Sequence, residues 1–327
     1  MTKEKASTIK DVAREAGVSV SAVSKVFNKY GDIGIETQNK VFAAAKRLEY
    51  IPNQAARKLS SKHTKIIALI LNEIKVERGV TMPLEILSGV SNYLEATDYE
   101  FVFYGTTSKK QAEKSLKQFC AEHSITGLLI QGLKTTDPYY KELANFSMPT
   151  VAIDLRIENC KIGTVSIDNE SAAAEVTKRL RQAGYEKILF LNGTTHDEVS
   201  QKREAGYRSQ VKEVLIDYAH FSEEKAMLQI LDADLTGIDA IFAASDLMAI
   251  GVIKALRLRK KETSIAVVGF DDNVLASYVS PTLTTVRQDV KTMSESAVED
   301  LLLQIEEKEV RHRLLPYEII VRESANI

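Results

Sequence analysis

Two short helical patterns separated by a glycine constrain the fold of the first 50 residues more than any other feature of the sequence. The first pattern carries apolar residues at helical spacing, namely Ile9, Val12, Ala13 and Ala16, which predicts a helix with one buried face. Thr8 and Asp11 form a capping pair at its start. Gly17 can adopt the positive φ that ends such a helix. A short helix followed by a tight turn is therefore expected.

The second pattern begins after Ser19, a residue type that caps helices well. Its inward-facing residues are expected to be Val23, Val26 and Phe27. Its outward-facing residues are expected to be Val20, Ser21, Ser24, Lys25 and Asn28. Short polar side chains and one long cation on an exposed helix suit the DNA major groove, so the pair is interpreted as a helix-turn-helix. A plain helical hairpin stays open as the alternative.

A third helix is predicted over about 36–48, and a separate fourth one follows Pro52. Pro52 ends any helical run, and Asn53 can cap a new helix from Gln54 to about Ser60. Leu59 lies there among basic residues, namely Arg57, Lys58, Lys62 and Lys65. Apolar side chains beside cations are what minor-groove binders insert between base steps.

These segments, IKDVAREAGVS, AVSKVFN and YIPNQAARKL, resemble the DNA-binding headpiece and hinge helix of the LacI/GalR family of bacterial transcription regulators. The resemblance implies that Val20, Ser21 and Lys25 read bases, that Leu59 intercalates, and that a homodimer binds a palindromic double-stranded operator. The expected DNA contacts are Thr8, Ser19, Val20, Ser21, Ser24, Lys25, Asn28, Tyr50, Asn53, Ala56, Arg57 and Leu59.

The charge distribution agrees with a DNA-binding arm although the net charge of the chain is only −2. Residues 1–65 hold 13 Lys and Arg against 6 Asp and Glu, so they carry +7, and the remainder carries −9. A basic arm on an acidic body is the expected footprint of a phosphate-binding module.

From Lys65 onward, short apolar runs alternate with amphipathic stretches. Examples of the runs are IIALIL, FVFY, GLLIQ, KILFLNG and IAVVGFDD. This alternation predicts buried parallel sheets with helices on their faces, and about ten strands require two Rossmann-like lobes with a ligand cleft between them. The predicted fold is thus an all-α helix-turn-helix headpiece plus an α/β core.

The body resembles the periplasmic-binding-protein-like core of the same family through AASDLMAIG and VVGFDDNVLASYVSPTLTTVRQD. The expected domains are a headpiece at 1–50, a hinge helix and linker at 51–64, and an effector-binding and dimerisation core at 65–327. Within the core, lobe 1 is expected at about 65–158 and 289–310, and lobe 2 at about 162–286 and 314–327.

Ligands bind at the carboxyl ends of parallel strands, and this rule, together with the match to the family pattern, gives five candidate effector contacts. Asp271 is expected to accept hydroxyls, Arg203 to supply a guanidinium fork and Phe221 to stack on a sugar ring. Asp154 and Ser245 are weaker candidates. Arg203 as a surface cation and Phe221 as a core residue stay open. Ser245 stands where the family usually has an Asn, which shortens the reach into the cleft.

No catalytic motif is present, and neither of the two cysteines belongs to a C-x-x-C pair. We therefore expect no enzyme activity, no cofactor, no metal and no membrane partner, and a cytoplasmic location. The function expected is a repressor that responds to a sugar or sugar phosphate. Transport binding protein and sugar-processing enzyme are rival classes, and a global catabolite regulator driven by a phosphorylated carrier protein is the alternative.

Overall fold

The computed structural model describes residues 7–27, 33–50, 65–74, 82–260 and 265–327. Contacts divide the chain into two compact units, Met1–Thr64 and Lys65–Ile327. Among the described residues, no helix combines the length and the apolar character that crossing a membrane requires.

The described residues of the first unit form three helices, which are α1 (Ile9–Ala16), α2 (Val20–Phe27) and α3 (Ile35–Arg47). The Thr8 amide and hydroxyl both donate to Asp11 Oδ2, at 3.0 and 2.6 Å, and Gly17 ends α1 with φ 66°. Ser19 Oγ accepts from the Ala22 amide at 3.1 Å at the start of α2. The predicted caps are confirmed, although the Thr8 hydroxyl bonds the carboxylate as well.

The core of this unit is small and comes from all three helices. Its buried residues are Val12, Ala13, Val23, Val26, Val41, Ala44 and Ala45. Phe27 and Tyr50 pack at its edge with their ring centroids 5.9 Å apart. The helical periodicity of the sequence therefore predicted the inward faces correctly.

The second unit begins with a fully parallel six-stranded sheet in the order β11-β5-β4-β3-β1-β2. Its strands are β1 (Ile66–Asn72), β2 (Glu100–Thr106), β3 (Gly127–Gln131), β4 (Thr150–Ile153), β5 (Ile162–Ile167) and β11 (His312–Leu315). The helices along this part of the chain are α4 (Met82–Leu94), α5 (Ser108–Glu113), α6 (Leu116–Glu122) and α7 (Pro138–Leu143), joined by the later helix α12 (Val290–Glu306). All seven residues of β1 are buried, as expected for a central strand covered on both faces.

A second parallel sheet has the order β7-β6-β8-β9, formed by β6 (Ile188–Asn192), β7 (Leu215–Tyr218), β8 (Ala240–Ala243) and β9 (Ala266–Val268). Its helices are α8 (Asn169–Gln182), α9 (Glu198–Gln210), α10 (Glu223–Asp232) and α11 (Asp246–Leu258). Strands β10 (Thr285–Gln288) and β12 (Tyr317–Ile320) pair antiparallel, and bridges at Val268 and Asp271 attach β10 to the end of β9.

The chain passes three times between the half of the second unit built on the six-stranded sheet and the half that holds the other strands. It leaves β5 for α8 through Asp168, leaves β10 for α12 through Asp289, and leaves β11 for β12 through Pro316 alone. These three connections join the two halves of the second unit.

Some elements differ from the sequence expectation. Strand β5 pairs with β4, so the first sheet extends past the lobe boundary expected near residues 158–162. The amphipathic pattern over residues 111–123 predicts one helix, but the structure has two, because Lys114 has an extended backbone and Ser115 caps a new helix. Helix α9 was not predicted, since EVSQKREAGYRSQ is polar on most of its surface.

Candidate functional site

Helix α2 carries four of the side chains that the sequence predicted to meet DNA, namely Val20, Ser21, Ser24 and Lys25. Val20 is 40% exposed and Ser21 is exposed beside it, while Val23 and Val26 are buried beneath. Ser24 and Lys25 are half-buried. A helix that presents small side chains at its N-terminal end can approach base edges closely.

The remaining predicted DNA contacts fall into two groups. Thr8 and Ser19 are exposed at the helix starts, whereas Tyr50 is half-buried against Phe27. The others lie outside the described residues, namely Asn28, Asn53, Ala56, Arg57 and Leu59. The hinge helix expected within 51–64 lies there too.

The second unit contains a cavity of about 410 Å³ at the carboxyl ends of strands from both sheets. All five residues predicted to contact an effector line it, namely Asp154, Arg203, Phe221, Ser245 and Asp271. Asp154 directly follows β4, Ser245 lies two residues after β8, and Asp271 follows β9. Ligands bind at this edge of open parallel sheets, and the volume lies in the usual range for small-molecule sites.

Arg203 lies in α9 and is only 3% exposed, so it is not a surface cation. Its Nε donates to Asn169 Oδ1 at 2.8 Å and its Nη1 to the Ala244 carbonyl at 2.6 Å. Its guanidinium carbon lies 3.5 Å from the centroid of the Phe270 ring. Burial lowers the pKa of Arg203, and the surrounding carboxylates, Asp271 first, oppose that shift. The guanidinium is thus fixed before any ligand arrives.

The two adjacent aspartates after β9 have different partners. Asp271 Oδ1 accepts from Gln288 Nε2 at 2.7 Å and lies 3.9 Å from Arg203 Nη1. Asp272 forms ion pairs with Arg287 and Arg322, each at 2.7 Å. Burial raises the pKa of Asp271 to about 7, although Arg203 and Gln288 oppose the shift. Asp271 is therefore the carboxyl placed to bind a ligand beside Arg203, whereas Asp272 holds the fold through its two arginine partners.

Both Asp271 and Asp272 have positive φ values, 122° and 54°. Such backbone conformations are costly for residues with a Cβ and persist only where the surroundings impose them. Asp246 helps to impose this one, because its carboxylate accepts from the Asn273 amide at 2.7 Å and from Thr285 Oγ1 at 2.6 Å. The loop that carries Asp271 is therefore tied to the start of α11.

Asp154 and Asp197 add two further carboxylates to the lining. Ser166 donates to Asp154 Oδ1 at 2.7 Å, and Asp197 caps α9 by accepting from the Val199 amide at 3.2 Å. Burial raises the pKa of each carboxyl, and the charge of Arg203 opposes the shift in both. The positive charge of Arg203 thus stabilises the ionised forms of two carboxyls, one that follows a strand of each sheet.

Phe221 and Ser245 line the cavity in different ways. The Phe221 ring is half-buried and packs against Gly193. A Cβ at position 193 would stand 2.1 Å from Phe221 Cζ, so the ring occupies the space that any larger residue there would need. It packs at the core edge and also faces the cavity. Ser245 is buried, and its hydroxyl caps α11 by accepting from the Met248 amide at 3.3 Å.

Sequence reasoning missed several lining residues, chiefly Asp197, Gln288, Glu73 and Lys134. Asp197 precedes a helix that lacks an apolar stripe, and Gln288 ends a strand whose partner lies 29 residues later, at Tyr317. The position of Lys134 just after β3 is a signal that strand-end reasoning could have used. Among the described residues, no cluster of three or more His, Cys, Asp or Glu could hold a metal ion.

Two family models match the chain. The model "Bacterial regulatory proteins, lacI family" matches residues 8–53, and the model "Periplasmic binding protein-like domain" matches residues 164–325. The first match covers the three helices of the first unit, and the second covers most of the unit that holds the cavity.

Similar proteins align over nearly the whole chain. The HTH-type transcriptional regulator RegA of Clostridium saccharobutylicum is 31% identical over 98% of this chain and 99% of its own. The Lac repressor dimer bound to operator and the anti-inducer ONPF matches with a TM-score of 0.85 and 26% identity, covering 98% of this chain and 99% of that one. The transcriptional regulator CelR in complex with cellobiose matches with a TM-score of 0.73 and 27% identity, covering 98% and 100%.

Proposed function

This chain belongs to the LacI family of bacterial regulatory proteins, and we propose that it is a repressor whose operator binding is controlled by a small carbohydrate in the cavity of the second unit. The cavity carries the proposal, because it gathers a fixed guanidinium, several carboxylates and an aromatic ring at strand ends from two sheets. That set can hold hydroxyl groups and the apolar face of a sugar ring.

The DNA-binding part of the proposal rests on the exposed face of α2. Val20, Ser21 and Lys25 would read bases in the major groove, and a homodimer would place two such helices on a palindromic operator. Residues 51–64 are proposed as the hinge, with Leu59 inserted at the operator centre. A regulator of this kind acts where the chromosome lies, so the cytoplasm is the proposed location.

Coupling between the two functions is proposed to run through the connections between the sheets. Gln288 and Val290 both line the cavity and flank Asp289, the residue through which the chain passes from β10 to α12. A ligand that contacts this position can favour one arrangement of the two halves over another. Coupling of about 1 to 3 kcal/mol would change operator affinity roughly 5- to 150-fold.

Operator binding tests the proposal directly. A palindrome selected from random duplexes by the purified full-length protein should bind far more tightly than random DNA at moderate ionic strength. Adding the correct member of a panel of sugars should change that affinity by the stated factor. If no palindrome is preferred, the DNA-binding proposal is wrong. If a palindrome is preferred and no sugar alters its binding, only the effector proposal is wrong.

A further inference from the structure

One acceptor in the cavity wall has no donor among the described residues. Gln288 is only 4% exposed, and its Nε2 is committed to Asp271 at 2.7 Å. Its Oε1 is buried and accepts no hydrogen bond from the described part of the chain. A buried acceptor without a donor is destabilising, because folding has removed its hydrogen bonds to water. Because Gln288 lines the cavity, a ligand that brings a donor there removes this cost.

Among the described residues of the lining, acidic side chains outnumber basic ones. Glu73 pairs with Lys134, and Asp272 pairs with arginines outside the lining. The three remaining half-buried carboxyls are Asp154, Asp197 and Asp271, and the buried Arg203 acts on all of them. The exposed Glu85 adds a further negative charge to the lining.

Each of these three carboxyls has its pKa raised by burial, so each one gains stability when positive charge or a proton arrives. The wall therefore presents acceptors and negative charge to a ligand, and it favours donors and positive charge.

We propose that the effector is a carbohydrate that carries a protonated amine and no phosphate. This inference rests on the proposed function and narrows the ligand class at the same site. The ammonium group would lie among Asp154, Asp197 and Asp271, where it gives three donors to carboxylate acceptors. Hydroxyl groups on the same sugar would supply the donor that Gln288 Oε1 lacks.

The same geometry disfavours an anionic effector. A phosphate needs cations and amide donors, whereas Arg203 already commits two of its five N–H groups to Asn169 and the Ala244 carbonyl and keeps only the remainder for a ligand. Lys134 is already paired with Glu73. A dianion in this cavity would meet carboxylates from both sheets, and like charges placed together select against a ligand.

Calorimetric titration of the full-length protein tests the inference without DNA. For glucose, galactose and mannose, the panel contains the parent hexose, the 2-amino-2-deoxyhexose, its N-acetyl derivative and the hexose 6-phosphate. The expected result is that one amine binds about tenfold or more tightly than its parent hexose, since hydrogen bonds to charged groups are stronger than neutral ones. The N-acetyl derivative, which fills the same position without charge, should lose that advantage.

A matched pair of variants assigns the effect to the cavity. Asp197→Asn keeps an oxygen that can cap α9 but removes a charge, so the preference for the amine over the parent hexose should fall several-fold. Asp217→Asn removes a charge from an exposed residue of β7 outside the lining and should leave the preference unchanged. Circular dichroism and thermal unfolding verify that both variants are folded.

The outcomes separate this inference from the proposed function. A parent hexose or hexose phosphate that binds as tightly as its amine overturns the inference and leaves an effector-controlled regulator in place. A panel in which nothing binds overturns both the inference and the carbohydrate effector. Operator selection still tests the DNA-binding part in that case.

Discussion

Gln288 donates its side-chain amide to Asp271 Oδ1 across 2.7 Å, and this bond joins the end of β10 to the loop that follows β9. It places a titratable carboxyl of the cavity one residue from the connection at Asp289 that leads into α12. The protonation state of Asp271 therefore affects both the ligand wall and the region where the two halves meet.

Stability of the ligand-free protein should fall as pH rises from about 4 to about 7, the interval between the unfolded and folded pKa values of Asp271. The folded-state pKa of Asp271 is about 7, above its usual value of 3.8, so the folded protein holds this proton more tightly than the unfolded chain does. The contribution is fully present below the unfolded pKa and is lost as pH rises through 7. The groups that face Asp271 are Arg203, Asp154, Asp246 and Gln288.

Urea unfolding at several pH values measures this slope, and Asp271→Asn should flatten it. Asp98→Asn, a change at an exposed position, should leave the slope as it is. An equal slope in the wild type and the Asp271→Asn variant would show that other groups cause it.

Arg203→Lys should lower the free energy of unfolding by about 3 kcal/mol, because an ammonium cannot reproduce the bonds to both Asn169 and Ala244 and leaves buried groups unsatisfied. Arg208→Lys is the control on the same helix. Its guanidinium pairs with Glu204 at 2.8 Å and is about half exposed, so a change within about 0.5 kcal/mol is expected. Equal losses in the two variants, measured by urea unfolding, would contradict a special role for Arg203.

Gly206→Ala should destabilise the packing of α9 against α8 by about 1 to 3 kcal/mol. A Cβ at position 206 would stand 2.1 Å from the Glu170 carbonyl oxygen, and this backbone atom cannot move without shifting α8. Gly105→Ala is the control, since its Cβ would meet Ile74 Cδ1 at 3.6 Å, an ordinary contact. Thermal unfolding that ranks the control as the less stable variant would refute this packing argument.

Lys25→Ala should relax the sequence preference at one position of each operator half-site. A single base contact is worth about 1 to 3 kcal/mol, so discrimination at that position should fall roughly 5- to 150-fold. Lys10→Ala alters an exposed cation on α1 and should leave the selected sequence unchanged. Selection from a randomised operator library measures both variants, and an unaltered preference in Lys25→Ala would remove this residue from the reading positions.

Operator affinity should depend steeply on salt, since the charge of +7 lies in the first 65 residues. If a dimer neutralises about six to ten phosphates, affinity should fall roughly 10³- to 10⁵-fold between 50 and 200 mM salt. Fluorescence anisotropy with labelled operator measures the slope. A flat dependence would place the basic residues away from the phosphates.

The sequence predicted those features of the fold and the site that depend on residues close together in the chain or on the ends of single strands. The Thr8–Asp11 cap and the turn at Gly17 follow from residue chemistry over a few positions. Asp154 and Asp271 could be placed in the cleft because the carboxyl ends of parallel strands share one edge.

What sequence reasoning missed depends on long-range pairing. Strand β5 could belong to either sheet by pattern alone, and only its register with β4 decides. Gln288 acquires its role through Asp271, 17 residues earlier, and Asp197 through a helix without an apolar stripe. The cavity holds more acceptors than donors because residues far apart in the sequence, such as Asp271 and Gln288, meet in its wall.

Pro316 alone separates β11, in the six-stranded sheet, from β12, which pairs with β10 in the other half of the unit, after two earlier passages of the chain. No uninterrupted piece of the gene therefore encodes either half of the ligand-binding unit. Recombination can exchange that unit whole, with its ligand preference, but a crossover inside it would join strands to the wrong neighbours.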